Sequence, residues 1–491
     1  MNEIVLFIVI LIPFVGGILI PLLPFKKREH MLAFIETVVL VNSILVWLLL
    51  FHRPEGGFTM LRFTGNLSVT FHLDGLAGVF AGLVAALWPL ATLYSFEYMK
   101  HEDHEKIFFM FYTVTYGVTL GIALSGNILT MYFFYELLTL VTTPLVTHTL
   151  TREAILASRT YLYYSLGGAA FAFIGMIFVV VYGDSIDFIY GGVLHANSYP
   201  GGSNVLLFIY VLAFMGFGVK AAICPFNSWL PKAGVAPTPV TALLHAVAVV
   251  KSGAFAIMRL TYYSFGVDFL RGTWAQYVVM IITIFTIIYG CSMALKERHL
   301  KRRLAYSTIS NLSYILFGVT IMTPLGLLGA LTHLVAHAVM KICSFFCAGA
   351  VIYKSEKNYV YELDGMGRKM PKTFGIFTIS SLALMGVPGL CGFISKYYLA
   401  DAAVESGNGL AYIGLGAILV SAILTAIYMM TIVVRAFFPE AGFDYKKLNG
   451  IKDPNWLMLM PLTLFCIGML VIGVYSKPLT DLFTTIANGL F

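Results

Sequence analysis

The sequence predicts an all-α polytopic membrane protein of about fourteen transmembrane helices, with two inverted five-helix repeats and helices 7 and 12 broken. Three observations carry this reading. Of 491 residues, 59% are hydrophobic and 11% charged, where a soluble chain carries about a quarter charged residues. Apolar runs of about 18 residues or more, each long enough to cross a bilayer, recur from one end to the other. Lysine and arginine are concentrated in alternate connecting loops, as the positive-inside rule requires of a multi-pass chain.

The spans fall at 4–23, 31–51, 75–95, 107–125, 128–148, 160–182, 205–226, 238–261, 274–295, 304–321, 326–353, 373–404, 409–436 and 456–476. The first, "IVLFIVILIPFVGGILIPLL", lacks a basic segment before it and a small-residue cleavage pattern after it, so it reads as a retained span and not a signal peptide. Four regions follow: N-terminal helices (1–106), a first repeat (107–261), a second repeat (262–437), and a C-terminal loop and helix (438–491).

Loops after odd-numbered spans hold 22 of the 31 Lys and Arg, including "KKREH" (26–30), "KERHLKRR" (296–303) and "KSEKNYVYELDGMGRKMPK" (354–372). The opposite side holds five: Arg53, Arg62, Arg259, Arg271 and Lys477. This asymmetry places both termini on the non-cytoplasmic side of the cytoplasmic membrane. The net charge of +7 is this loop bias and calls for no nucleic-acid partner.

Four lysines remain, and all lie within spans: Lys220, Lys251, Lys341 and Lys396, together with Glu136, His245, His333 and His337. A charge at mid-bilayer costs a few kcal/mol on insertion scales. Snorkelling from a helix end explains one such residue, but Glu136, Lys220, Lys251 and Lys341 lie near span centres. Structural pairing fails as well, because one glutamate cannot neutralise four lysines. Burial favours a neutral amine and a nearby carboxylate favours the ammonium; imidazoles titrate near neutrality. Chains of such groups mark proton relays in pumps and transporters. His333, His337 and Lys341 follow i, i+4, i+8 spacing and share one helix face. In a straight helix His245 and Lys251 stand about 120° apart, so they face different neighbours unless the helix is distorted between them.

Two spans are interrupted. "GVKAAICPFNSWLP" (218–231) puts Pro225 after Lys220, and "LMGVPGLCGFISKYY" (384–398) puts Pro388 among glycines before Lys396. Broken helices are tolerated at membrane depth where they line a protein or water-filled cavity. Two breaks in oppositely oriented spans are the footprint of inverted repeats around an ion path. The six cysteines are scattered; Cys343 and Cys347 share a helix face and read as packing residues. No CxxC, haem or iron–sulfur spacing is present, and no cofactor or metal is expected.

Five stretches resemble the antiporter-like subunits shared by complex I, Mrp-type cation/proton antiporters and membrane-bound hydrogenases. They are "NILTMYFFYELLTL" (127–140), "KAAICPFNSWLPKAGVAPTPVTALLHAVAVVKSG" (220–253), "KRRLAYSTISNLSY" (301–314), "HLVAHAVMKICSFFCAG" (333–349) and "LALMGVPGLCGFISKYYL" (382–399). The resemblance implies that Glu136 and Lys220 form a charge pair. It makes Lys251 with His245 the central connector, His333, His337 and Lys341 the histidine/lysine group, and Lys396 the terminal residue. That last position is glutamate in one complex I branch. Lysine there, and a chain stopping at Phe491, make the sequence most similar to the D-type Mrp subunit, with its counterpart in membrane-bound hydrogenase.

The expected function is proton translocation, alone or coupled to Na⁺, by one subunit of a larger respiratory or antiporter complex. Expected partners are other membrane subunits, a peripheral hydrogenase- or dehydrogenase-like redox module, and the lipid bilayer. Two rivals stand beside it. A stand-alone secondary transporter would need polar groups converging on one ligand. A redox protein would need ligand spacings for a metal or quinone site.

Overall fold

The computed structural model describes residues 2–65 and 67–489. Helices dominate. They begin with α1 (Val5–Leu22), α2 (Arg28–Phe51), α3 (Gly75–Tyr98), α4 (Glu105–Ala123), α5 (Ile128–Val146), α6 (Arg152–Tyr182) and α7 (Ser203–Gly218). Short pieces α8 (Trp229–Lys232) and α9 (Thr238–Ala242) lead into α10 (Val249–Met258) and α11 (Val267–Leu270). Then come α12 (Trp274–Lys296), α13 (Leu300–Ile321), α14 (Pro324–Ser355) and the short α15 (Met366–Lys369). The chain closes with α16 (Pro371–Met385), α17 (Cys391–Glu405), α18 (Gly409–Phe437), α19 (Trp456–Val474) and α20 (Lys477–Ala487).

Among the described residues, 12 helices are long and apolar enough to cross a membrane. Each overlaps one expected span. The other two expected spans, 205–226 and 373–404, are the interrupted ones. The first stops at Gly218, and the second divides into α16 and α17. Helix starts follow from side-chain caps: Asp74, Asn127, Thr151 and Thr323 each accept a main-chain N–H of the first turn of α3, α5, α6 and α14, which satisfies a donor that the helix itself leaves unpaired.

Position in the bundle tracks side-chain chemistry. Membrane helices are apolar all round, so hydropathy alone does not tell which is central. The span Thr238–Phe265 is 100% buried over its most apolar window, and α13 and α14 are 94% buried. Windows in α1 and α2 are 39% and 33% buried. The innermost helices are therefore the ones carrying lysine and histidine. The helix α14 is the hub, packing against α3, α9, α13, α16, α17, α19 and α20.

Four features lie outside the sequence-based expectations. Residues Phe58–Arg62 (β1) and Ser68–Phe71 (β2) form an antiparallel hairpin, Phe58 opposite Phe71. Asn127 Nδ2 ties it to α5 by donating to Ser68 O (2.8 Å) and Thr70 Oγ1 (2.9 Å). After α19 the chain adds the amphipathic α20, which buries Thr480, Phe483 and Ile486. Arg259, counted with the cations of the non-cytoplasmic side although it falls within the expected span 238–261, is buried near the end of the Thr238–Phe265 span. Lys301, expected in a loop, lies buried in the first turn of α13 and donates to Ala236 O at 2.8 Å. Removing one residue from each side leaves 21 against 4, so the loop asymmetry persists.

Arg259 is held by Asp74, 185 residues away, through its two terminal guanidinium nitrogens. The rings of Phe188, Tyr263 and Phe255 surround it at 4.8, 4.6 and 5.2 Å. Asp74 also caps α3 through Ala77 N at 2.8 Å. Asp74→Asn preserves a good cap residue but strands the buried guanidinium. It should destabilise the protein by about 3–5 kcal/mol, read as a lowered Tm in detergent; an unchanged Tm would show that the pair contributes nothing.

Candidate functional site

A helix that stops inside a bilayer leaves main-chain groups to satisfy. In this chain α7 ends at Gly218, and Lys220 follows at once. The Trp229 indole turns back to donate to Val219 O at 2.8 Å. The Lys220 ammonium points instead towards α5. It donates to Tyr135 O, lies 3.4 Å from the centre of the Tyr135 ring and stands 3.9 Å from Glu136 Oε1. The helix α10 passes close behind: a Cβ on Gly253 would come within 2.5 Å of Ala221 N and 2.9 Å of Lys220 C. Glycine there lets the two backbones touch.

The second break is built in a similar way. After α16, Gly386 adopts φ +94° and Gly389 φ +85° around Pro388, and α17 begins at Cys391. Lys396 folds back to donate to Leu384 O (2.7 Å) and Met385 O (2.9 Å), the carbonyls that the break sets free. A side chain on Gly386 would meet Lys396 Cδ at 2.9 Å.

Between the breaks lies the centre of the bundle. A π-helical turn over Leu243–Val247 precedes α10, with Ala248 N bonded to Leu243 O. This is the distortion between His245 and Lys251 that the sequence left open, and π-turns recur at functional sites. Lys251 contacts His337 Nδ1 directly, joining α10 to α14. The His333 and His337 rings lie one turn apart, centroids 5.8 Å. His333 Nδ1 is 2.9 Å from Ser395 Oγ, beside Lys396. The Tyr314 ring bridges the same gap, 5.1 Å from the His333 ring and 5.6 Å from Lys396 Nζ.

Lys341 turns towards α13. It donates to Ser307 Oγ at 2.7 Å and Leu304 O at 3.2 Å. The Tyr428 hydroxyl donates to the same Ser307 oxygen at 2.7 Å and lies 3.0 Å from Thr425 Oγ1. A hydroxyl chain thus leads from Lys341 to α18. His245 makes no hydrogen bond among the described residues; its ring packs on Phe345 at 4.7 Å. The Nε2 atoms of His333 and His337 likewise have no partner among the described residues.

Among the eight ionisable residues singled out in the sequence, direct contacts join Glu136 to Lys220 and Lys251 to His337, with His333 one turn from His337; taken in chain order from α5 to α17 the eight make up a row. Six are fully buried, and Glu136 and Lys396 are half-buried at its two ends. Pro225 borders a cleft of about 490 Å³ beside α6, and Pro388 sits in the α16–α17 break. Sequence reasoning passed over Ser307, Tyr314, Ser395 and Tyr428. The first two fall within "KRRLAYSTISNLSY", where their polarity on an α13 face was the available signal.

Among known proteins, the A/B polypeptide of a probable K(+)/H(+) antiporter of Rhizobium meliloti (strain 1021) is 30% identical over 482 residues, covering 96% of this chain and 47% of that protein. The chain thus spans about half the length of this relative. A chain in the structure of the membrane-bound sulfane sulfur reductase, an archaeal respiratory membrane complex, superposes with TM-score 0.87 at 21% identity, over 99% of this chain and 97% of that one. A chain of the Mrp complex from Dietzia sp. DQ12-45-1b superposes with TM-score 0.85 at 20% identity, over 99% and 97%. At these identities the two structures speak to the fold alone. Residues 125–425 match the family described as "NADH:quinone oxidoreductase/Mrp antiporter, TM". That stretch is more than half of the chain and holds every member of the row, and the protein belongs to this family of transmembrane subunits.

Proposed function

We propose that this chain is an ion-translocating subunit of a larger respiratory or antiporter complex in the cytoplasmic membrane, with both termini on the non-cytoplasmic side. The observation that carries the reading is the direct contact of Lys251 with His337. It ties α10, which packs against the segment after the α7 break, to α14, which packs against α16 and α17. Protons enter by one half-channel, pass along Glu136, Lys220, Lys251 and His337, and diverge there to Lys341 on the α13 side and, past His333 and Ser395, to Lys396, to leave by the other half-channel. His245 stands beside this route as a further proton-accepting group. The ring nitrogens, and the Ser252, Ser313 and Asn311 oxygens on α10 and α13, which have no hydrogen-bond partner among the described residues, are the kind of buried polar atoms that internal water satisfies. Such water bridges the gaps between relay groups.

The family membership and the fold support a place among other membrane subunits. Moving one charge against 100 mV costs about 2.3 kcal/mol; a redox module or a counter-ion gradient supplies it. In this reading Lys396 aligns the chain with the D-type Mrp subunit, as with its hydrogenase counterpart, moving H⁺ alone or with Na⁺.

Three tests follow from the geometry, each made on proteoliposomes of the purified complex. Glu136→Gln removes the charge that faces Lys220 and should abolish ion flux while the make-up of the complex stays intact; near-normal flux would take Glu136 out of the mechanism. Lys396 has to release its proton in each cycle, and arginine does not deprotonate at usable pH. Lys396→Arg should therefore be as inactive as Lys396→Ala, and activity restored by arginine would reduce Lys396 to a fixed charge. His337→Ala and Lys341→Ala should each cut flux at least tenfold (about 1.4 kcal/mol or more) with little change in Tm. Interhelical hydrogen bonds in membranes average only about 0.6 kcal/mol, so a structural role would show the reverse: lowered Tm and surviving flux per intact complex.

A further inference from the structure

Beyond the outer end of the Lys341–Ser307–Tyr428 chain, on the side of the bundle where basic loops gather, three arginines line one cavity of about 380 Å³. Arg298 comes from the connection between α12 and α13, Arg303 from the first turn of α13, and Arg435 from the last turn of α18. Val360, Tyr361 and Thr431 complete the wall, and among the described residues no carboxylate lines it. Arg303 is 6% exposed and fixed from behind, donating to Glu297 O at 2.8 Å and Tyr428 O at 3.0 Å. Arg435 reaches Asp364 at 3.2 Å, and neither Arg298 nor Arg303 forms an ion pair among the described residues. The nearby Glu297 carboxylate is engaged by the main-chain N–H groups of Arg298 and His299 at 2.9 Å. Positive charge is thus concentrated at the cavity and only partly countered.

The cavity is continuous with an apolar surface. On α18, Ile423, Ile427 and Thr431 repeat every fourth residue and so share a face. Ile423 is 63% exposed and Ile427 48% exposed. This stripe runs from the arginines into the hydrocarbon-facing part of the helix. A ligand matching both parts carries a phosphate at one end and an acyl chain at the other. Guanidinium groups bind phosphate oxygens in paired geometry, and basic pockets between membrane helices bind anionic headgroups.

We propose that the Arg298–Arg303–Arg435 cavity is a binding site for one anionic phospholipid of the adjacent leaflet, its phosphodiester on the guanidinium groups and an acyl chain along Ile427 and Ile423.

The test uses the intact purified complex, delipidated and returned to nanodiscs of phosphatidylcholine containing a minority of phosphatidylglycerol or cardiolipin. Lipids retained per complex are then counted by native mass spectrometry. The wild type should enrich the anionic lipid over phosphatidylcholine. Arg298→Gln, which breaks no ion pair, should lower that enrichment about fivefold, and Arg298→Glu further. The melting curve of each variant should stay unchanged, so lost retention does not reflect lost folding. Equal retention of both lipid classes, or enrichment that survives Arg298→Glu, overturns the proposal. Loss of a co-purifying protein from Arg298→Glu with lipid retention intact also overturns it, because the cavity then receives an acidic partner. In a parallel arm, inorganic phosphate added to the mixed-lipid nanodiscs should not displace the retained anionic lipid. If it does, the occupant is a free anion and the proposal fails.

Discussion

An ammonium group kept from water must give its protons to something, and this constraint shapes the centre of the bundle. Three of the four membrane lysines use main-chain carbonyls: Lys220 on Tyr135, Lys341 on Leu304, and Lys396 on Leu384 and Met385. The fourth, Lys251, uses an imidazole. Tyr135 and Leu304 lie inside α5 and α13, and each carbonyl accepts the lysine beside its helical partner; the Leu304 oxygen is shared as well with the Thr308 hydroxyl at 2.9 Å. Leu384 and Met385 lie at a helix end, where the carbonyls lack intrahelical partners. The broken helix and the lysine beside it are thus one arrangement, since each satisfies what the other leaves open.

The same constraint orders the packing. Helices that carry these groups occupy the middle, and helices without them, such as α1, α2 and α19, form the rim. Close backbone approach brings the donors within reach. Gly253 lets α10 touch the segment after α7, and Gly386 makes room for the folded-back Lys396 side chain. Serine and tyrosine hydroxyls then extend the network outward, from Lys341 through Ser307 to Tyr428.

Much of this was legible in the sequence, because hydrocarbon punishes charge so heavily that a lysine or glutamate within an apolar run stands out, although Glu36 of α2 went unremarked. Glu136, Lys220, Lys251, Lys341 and Lys396 were visible for that reason, and the two breaks were visible as proline with glycine. Arg259 and Lys301 were not. Both sit at the ends of spans, where hydropathy gives a buried cation and a loop cation the same reading. The partner of Arg259 is 185 residues distant, beyond any local pattern. The π-turn before α10 left no local mark either, since His245 and Lys251 fit an α-helical reading equally well. The hairpin and α20 are short amphipathic pieces, and the search for long apolar runs passes over both.

The two ends of the row differ in what balances their charge. Lys220 faces the Glu136 carboxylate, and a carboxylate can be neutralised by taking up a proton. Lys396 faces the carbonyl end of α16, where the aligned peptide dipoles present about half a negative charge. A backbone dipole does not titrate, and no side-chain substitution removes it. One end of the row therefore has a counter-charge that a proton can erase, and the other has one that is permanent. A row built this way has a direction written into its electrostatics, even though lysines stand at both ends.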